Sequence, residues 1–164
     1  MNYYLFLVIL MPFSLFQNTA VAQTADIVGE TTEAQIREEF RIFDLYKERY
    51  KPDSIAVQQL SLIDDSVKII VVFGTWCKDS KKHIPSLFKI LEEADNPKIE
   101  TQYIGVNFLN QDPSSAYKRF TVTGNPTILV FRNEIELGRI VEKPKISIEV
   151  DLAKILFSNP QNQE

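Results

Sequence analysis

A short apolar run followed by an abrupt change of period restricts the fold of this chain more than any other stretch. Residues 68–73 read Lys-Ile-Ile-Val-Val-Phe, without alternation, which predicts a strand buried on both faces of a sheet. Gly74 and Thr75 end that run. Apolar residues then recur at helical spacing, at Ile84, Leu87, Phe88 and Leu91. Cys77 is therefore predicted to lie where a buried strand passes into a helix.

Cys77 is the only cysteine in the chain, and Trp76 before it is the only tryptophan. The first turn of a helix has unpaired backbone N–H groups and carries the positive end of the helix dipole, so it stabilises a thiolate. Cysteines in such surroundings are the reactive ones. We therefore predict a reactive Cys77; the alternative is a buried and inert thiol.

The residues around Cys77 carry a resemblance to a known family. Trp76-Cys77-x-x-Ser80 after a buried strand resembles the active-site segment of the thioredoxin-like superfamily, with serine in the place of the second cysteine. Pro85 stands where thioredoxins have the proline of the active-site helix. The tetrapeptide Gly-Asn-Pro-Thr at 124–127 resembles the segment that contains the family's cis-proline.

A narrower resemblance concerns two further motifs. Gly-Thr-Trp-Cys-x-Asp-Ser at 74–80 and Gly-Arg-Ile-Val-Glu at 138–142 are similar to segments of exported bacterial thioredoxin-like proteins with a CxxS site. The resemblance spans roughly residues 53–157. It implies an α/β fold of the thioredoxin-like type, a three-layer sandwich. Its mixed central sheet would follow the order β-α-β-α-β-β-α, preceded here by extra N-terminal helices.

Residues 1–22 have the pattern of a signal peptide. The stretch from Tyr3 to Met11 is continuously apolar, and Ala20-Val21-Ala22 gives the small-x-small pattern that precedes a cleavage site. We expect an exported chain, periplasmic or extracellular, that begins at Gln23 and has no stable membrane span after cleavage. The alternative is an uncleaved anchor, which the shortness of the apolar stretch disfavours.

The remainder divides into three predicted parts. Residues 23–52 are an N-terminal segment with a helix, residues 53–158 are the thioredoxin-like domain, and residues 159–164 are a flexible tail. We expect residues 23–31 to be loose and a single helix to follow from Thr32, whose capping box with Gln35 starts it. Its apolar stripe would be Ile36, Phe40, Phe43, Tyr46 and Tyr50.

Composition excludes some functions. The net charge is −4 with no basic cluster that stands out in the sequence, so nucleic acid is not an expected partner. One cysteine excludes an intramolecular disulfide and, with a single histidine, the common Cys/His zinc site. We predict no cofactor and no metal.

The chemistry expected at Cys77 follows from the residue at position 80. A second thiol would resolve a mixed disulfide, but Ser80 can only donate a hydrogen bond that favours the thiolate. Lys78 and Asp79 complete the thiolate's predicted environment with opposite charges. Val71 stands where the resembled thioredoxins have a buried carboxylate that moves protons, so that step is not expected here.

His83 is the only histidine and hence the only candidate for a Cys–His dyad. Six residues along a helix correspond to about 9 Å of rise and about 240° of rotation, so the side chains of Cys77 and His83 diverge. We expect His83 on the surface, within the charged run Lys81-Lys82-His83, and we reject a Cys–His dyad.

The resemblance also implies a substrate-binding role for Trp76, Asn125 and Pro126. In thioredoxin-like folds the cis-proline places the backbone of the preceding residue beside the sulfur, where an extended client peptide pairs with it. Asn125 would then be the specificity position. The alternative is an ordinary Gly-Asn-Pro turn.

Three functions remain open at this point. The first is a monothiol thiol–disulfide oxidoreductase that forms mixed disulfides with client proteins through Cys77, with an external small thiol or a reductase closing the cycle. The second is a non-catalytic client-binding module with the same fold. The third is a plain structural domain.

Overall fold

The computed structural model describes residues 25–157. The predicted signal peptide and the predicted tail lie outside the described residues. The elements, in chain order, are β1 (Gly29–Thr31), α1 (Glu33–Glu39), α2 (Arg41–Arg49), α3 (Ser54–Ser61), β2 (Val67–Phe73), α4 (Lys78–Ala94), β3 (Ile99–Gly105), α5 (Ala116–Arg119), β4 (Thr127–Arg132), β5 (Ile135–Val141) and α6 (Ile148–Phe157).

One five-stranded mixed sheet organises these elements, in the order β1-β3-β2-β4-β5. Strands β2 and β3 are parallel, and the other three pairings are antiparallel. The apolar run forms β2 at the centre of the sheet, as its composition predicts. From β2 onwards the elements follow β-α-β-α-β-β-α, which is consistent with a thioredoxin-like fold.

Strand β2 supplies side chains to both layers of the core. Its odd-numbered residues Val67, Ile69, Val71 and Phe73 pack against apolar residues of helices α1 to α4 and α6. Ile70 and Val72 face the other layer, which contains Ala116 of α5 and Val122. Because both faces are covered, the strand needs apolar residues at successive positions. Its carboxyl end is thereby fixed beneath the start of α4, the longest described helix.

The prediction of a loose segment over residues 23–31 is wrong for residues 29–31. Gly29–Thr31 pair antiparallel with β3 as an edge strand. Beside it the carbonyl oxygen of Ile27 lies 2.3 Å from the point where a side chain on Gly105 would begin, so only glycine allows this approach. A three-residue strand has too few positions to show a period, and its partner is supplied by the tertiary structure.

The prediction of a single N-terminal helix is also wrong. The capping box of Thr32 and Gln35 is present, but α1 ends at Glu39. The next residue, Phe40, has a φ of −125° and a ψ of 82°, and α2 begins directly after it. The Arg37 side chain bridges the break with a hydrogen bond of 2.8 Å to Asp44. The break contains neither glycine nor proline, and the apolar spacing continues across it. The sequence therefore has no local signal for it.

Capping and turn residues mark several of the other element boundaries. Asp53 caps α3 by accepting hydrogen bonds from two backbone N–H groups, and Ser147 accepts one at the start of α6. Asn133 and Glu134 both have positive φ in the turn between β4 and β5. None of the described helices has the length and apolar character needed to cross a membrane.

Candidate functional site

Cys77 is the N-cap residue of α4, with φ −75° and ψ 130°. Its backbone N–H donates to Gly74 O at 3.0 Å and its carbonyl accepts from Lys81 N–H at 3.1 Å. Thr75, buried in the turn, donates from its hydroxyl to Asp26 at 2.8 Å. The turn from β2 into α4 is thus fixed by short bonds, and it leaves the Cys77 side chain partly exposed.

The sulfur of Cys77 lies beside the Asn125–Pro126 peptide bond, which is cis. Cys77 Sγ donates to the carbonyl oxygen of Asn125 at 3.2 Å. The two segments that the resemblance relates to one site are therefore in contact across 48 residues of sequence. The sulfur is neither sealed in the interior nor remote from residue 125.

The segment that carries Asn125 is held from several sides. Asn125 is 7% exposed, and its amide nitrogen donates to Asn110 Oδ1 at 2.8 Å. The Thr127 hydroxyl donates to Gly124 O at 2.7 Å. A side chain on Gly124 would begin 2.6 Å from Glu142 Cγ. The Asn125 carbonyl that meets the sulfur is consequently a fixed feature of the site.

Ser80 is fully buried and serves the turn rather than the sulfur. Its hydroxyl accepts a hydrogen bond from Gly74 N–H at 3.3 Å. Between Ser80 and Cys77, both of which are described, the structure has no hydrogen bond; the bond of the sulfur goes to Asn125. Ser80 therefore lies next to the site and stabilises the backbone that presents Cys77.

Trp76 connects the site to an apolar patch that the sequence analysis did not single out. Its indole N–H donates to Val106 O at 3.2 Å, and its ring meets Phe108 edge-on at 5.0 Å between centroids. Phe108 is 73% exposed and Leu109 71% exposed. Both lie on a loop between elements, where apolar residues have no period to mark them.

Tyr117, in α5, is a second residue near the thiol that the sequence patterns do not relate to it. Its pKa is raised above 10, mainly by burial and further by the negative charges of Glu142 and of an ionised Cys77. The hydroxyl therefore remains protonated at neutral pH and can donate a hydrogen bond. Tyr117 and Glu142 are distant from Cys77 in sequence, so only the tertiary structure shows that they lie near the thiol.

The two charged residues of the predicted thiolate environment lie on the first turn of α4. Lys78 is exposed and Asp79 is half-buried. Asp79 adds a negative charge near the positive end of the helix dipole, which is favourable for the helix. Val71 is completely buried in the core, and no ionisable side chain takes its place in β2 below the sulfur.

The prediction of a surface position for His83 is wrong. His83 is 8% exposed, because α2 packs against α4 and covers this side of it. Burial lowers the pKa of His83 below 6.5, and the positive charges of Lys82 and Lys143 lower it further, while Asp79 opposes them. His83 makes no contact with Cys77 that would form a dyad. Within residues 25–157 no group of three or more metal-binding side chains is present.

Comparison with known proteins adds evidence on the fold. No protein-family model and no curated protein matches the chain. A Pseudomonas aeruginosa protein of unknown function is similar in structure, with a TM-score of 0.56 at 20% identity over 79% of this chain and 81% of that one. An HIV epitope-scaffold reaches a TM-score of 0.55 at 21% identity over 79% and 83%.

The thioredoxin of Fasciola hepatica has a TM-score of 0.37 at 21% identity, over 46% of this chain and 67% of that one. A score this low carries no weight. The first two likenesses concern the fold alone, so the function has to be argued from the site.

Proposed function

We propose that this chain is an exported thioredoxin-like protein that forms mixed disulfides with client proteins through Cys77, as a monothiol thiol–disulfide oxidoreductase. One observation carries the proposal: a partly exposed sulfur at the start of α4 lies 3.2 Å from the carbonyl oxygen of Asn125. Disulfide exchange requires a thiolate that another sulfur can approach. The export step rests on the signal-peptide pattern of residues 1–22.

The proposed reaction begins when the Cys77 thiolate attacks one sulfur of a client disulfide. A bond forms between Cys77 Sγ and that sulfur, the client's disulfide bond breaks, and the other client sulfur leaves as a thiolate that takes up a proton. An external thiol then attacks the client sulfur of the mixed disulfide. This second exchange releases the Cys77 thiolate, because Ser80 has no sulfur with which to do so.

The surroundings of Cys77 favour this chemistry in two ways. The Asn125 carbonyl beside the sulfur gives an extended client peptide a backbone acceptor with which it can pair. Trp76, Phe108 and Leu109 form an apolar patch beside the sulfur, on which client side chains can pack.

A client-binding module without turnover is the second candidate function. It is favoured by the absence of any second cysteine from the full sequence, since a mixed disulfide then persists until an external thiol reaches it. The exposed Phe108 and Leu109 suit retention of a client as well as catalysis.

Three measurements on the mature chain separate these functions, with Cys77→Ser as the control. Non-reducing electrophoresis of envelope extracts tests for adducts, and turnover of a small disulfide in the presence of glutathione tests for catalysis. Adducts with turnover support the oxidoreductase, and adducts without turnover support the binding module. A thiol that labelling reagents reach only after denaturation refutes both and leaves a structural domain.

A further inference from the structure

A groove of about 880 Å³ begins one residue after Cys77, and none of the residues of the apolar patch line it. One wall is helix α2, the floor is the first turns of α4, and the other wall is the segment before α6. Helix α2 belongs to the N-terminal part of the chain, outside the β-α-β-α-β-β-α unit. The groove is therefore a product of that addition.

The groove concentrates positive charge in an acidic protein. Five basic side chains line it, with Asp79 as the only acidic one: Arg49, Lys78, Lys81, Lys82 and Lys143. Over the whole chain, by contrast, 22 acidic residues exceed 18 basic ones. No salt bridge joins any of the five to another residue of the described range. Five cations against one carboxylate on a concave surface attract an anionic partner.

His83 adds a polar group to the groove. The side chain lines the groove and has only 8% of its surface exposed. Among the described residues, the buried side-chain atoms without a hydrogen-bond partner belong to Asn125 and Arg132 and not to His83, so the imidazole nitrogens are open to the groove and can bond an occupant. Because burial lowers the pKa of His83, the ring is neutral and can both donate and accept.

The groove also exposes apolar surface between its cations. Tyr46 is 43% exposed and Ile42 36% exposed on α2, and Ile146 is 62% exposed on the opposite wall. A small anion would use the charges but not this surface. A stretch of polypeptide matches both the spread of the charges and the apolar residues between them.

We propose that this groove binds an acidic segment of a client polypeptide that carries an apolar side chain. The identification of the occupant as a client rests on the proposed function of Cys77. Lys78 and Asp79 line the groove and directly follow Cys77, so a segment bound there has its neighbouring residues beside the sulfur. The groove would thus select acidic clients for exchange.

Binding is tested first on the Cys77→Ser protein, where no covalent bond can form. The probe is a fluorescein-labelled ten-residue peptide of Asp, Glu and Leu, compared by anisotropy with the same peptide carrying Lys in place of the acids. We expect the acidic peptide alone to bind, with affinity that falls as salt is added. Equal binding of both peptides, or none of either, overturns the proposal.

Variants locate the site. Lys82→Glu with Lys143→Glu is expected to weaken acidic-peptide binding at least about tenfold, since two attractions become repulsions. Lys98→Glu is a control for charge reversal outside the groove and should change affinity less than about twofold. Its backbone bonds to Val67, at the far end of β2, roughly 20 Å along the strand from the site. Equal loss of acidic-peptide affinity in both variants refutes the assignment of the site to this groove. It is also refuted if glutathione displaces the labelled peptide more strongly than the unlabelled peptide does.

A covalent assay separates failure of the groove from failure of the proposed function. Wild-type protein is mixed with each peptide bearing a cysteine activated by nitrothiobenzoate; attack by the Cys77 thiolate forms the mixed disulfide and releases nitrothiobenzoate. Faster release from the acidic peptide supports both ideas. Equal rates overturn the groove and leave the thiol chemistry intact. Binding without release leaves the groove intact and refutes the proposed function.

Discussion

Replacing Gly74 by alanine tests how the turn beneath the thiol positions Trp76. A side chain on Gly74 would begin 2.5 Å from Trp76 Cε2 and 2.6 Å from Nε1. Ordinary carbon contacts lie near 3.5 Å, so the indole has to move by about 1 Å. Its hydrogen bond to Val106 O already measures 3.2 Å, and such bonds weaken steeply beyond this length. We therefore expect the indole ring to move out of its present position.

The cost has two parts. Overpacking at a well-packed position costs about 1–3 kcal/mol, and the lost hydrogen bond adds about 0.5–1.5 kcal/mol. We expect Gly74→Ala to lower the free energy of unfolding by about 1.5–4.5 kcal/mol. Because Trp76 is the only tryptophan, the emission of the folded protein should shift to the red as the indole becomes more exposed.

Urea denaturation followed by circular dichroism measures the first effect, and the fluorescence spectrum measures the second. A double-mutant cycle with Trp76→Ala isolates their cause, because Gly74→Ala should cost much less once the ring is absent. Gly138→Ala is the control; its new side chain meets only Ile155, at 3.2 Å, and should leave the emission unchanged. An unshifted spectrum, or equal costs with and without the ring, refutes the reasoning.

Three further predictions concern the site and the core. Ser80→Cys places a second thiol at the third residue of α4, next to the N-cap Cys77. Oxidation should then remove both thiols from Ellman titration, and the variant should reduce insulin in the presence of dithiothreitol. Two thiols that stay titratable contradict this geometry. Because burial lowers the pKa of His83 below 6.5, the unfolded chain binds its proton more readily, and stability should fall as pH decreases through 6.5 towards the folded pKa. His83→Gln should remove that part of the pH dependence in urea titrations at pH 7.5 and 5, and an unchanged dependence counts against it. Phe43→Ala removes a fully buried ring and should lower the free energy of unfolding, measured by urea denaturation, by about 3–5 kcal/mol. Tyr46→Ala on the same helix removes a side chain that is 43% exposed and should lower it by less than about 1 kcal/mol. Similar losses for the two variants would show that the burial is misassigned.

Prediction from sequence succeeded where local patterns are strong. The apolar run of β2 and the helical spacing after it place Cys77 at the start of α4, and the capping box of Thr32 and Gln35 marks a helix start correctly. Each of these signals lies within a few residues of the structure it specifies. Helix starts and turns are formed by hydrogen bonds between residues that are close in sequence, so a short stretch of sequence is enough to predict them.

Prediction failed where a distant element decides the environment. His83 has charged neighbours and the appearance of a surface residue, but α2 covers it from elsewhere in the chain. Phe40 lies within a continuous helical pattern, yet α1 ends just before it and α2 begins directly after it. The three residues of β1 form a strand only because β3 offers an open edge.

The sequence by itself determined the thiol, the absence of a second one, and the strand–turn–helix segment that presents it. Only the tertiary structure decided which groups surround that sulfur: the Asn125 carbonyl, the Tyr117 hydroxyl, and the cationic groove beside α2. The physical reason is range. A helix start is set by bonds within one turn, whereas a sulfur meets a carbonyl 48 residues away only after the sheet has brought β2 and β4 side by side.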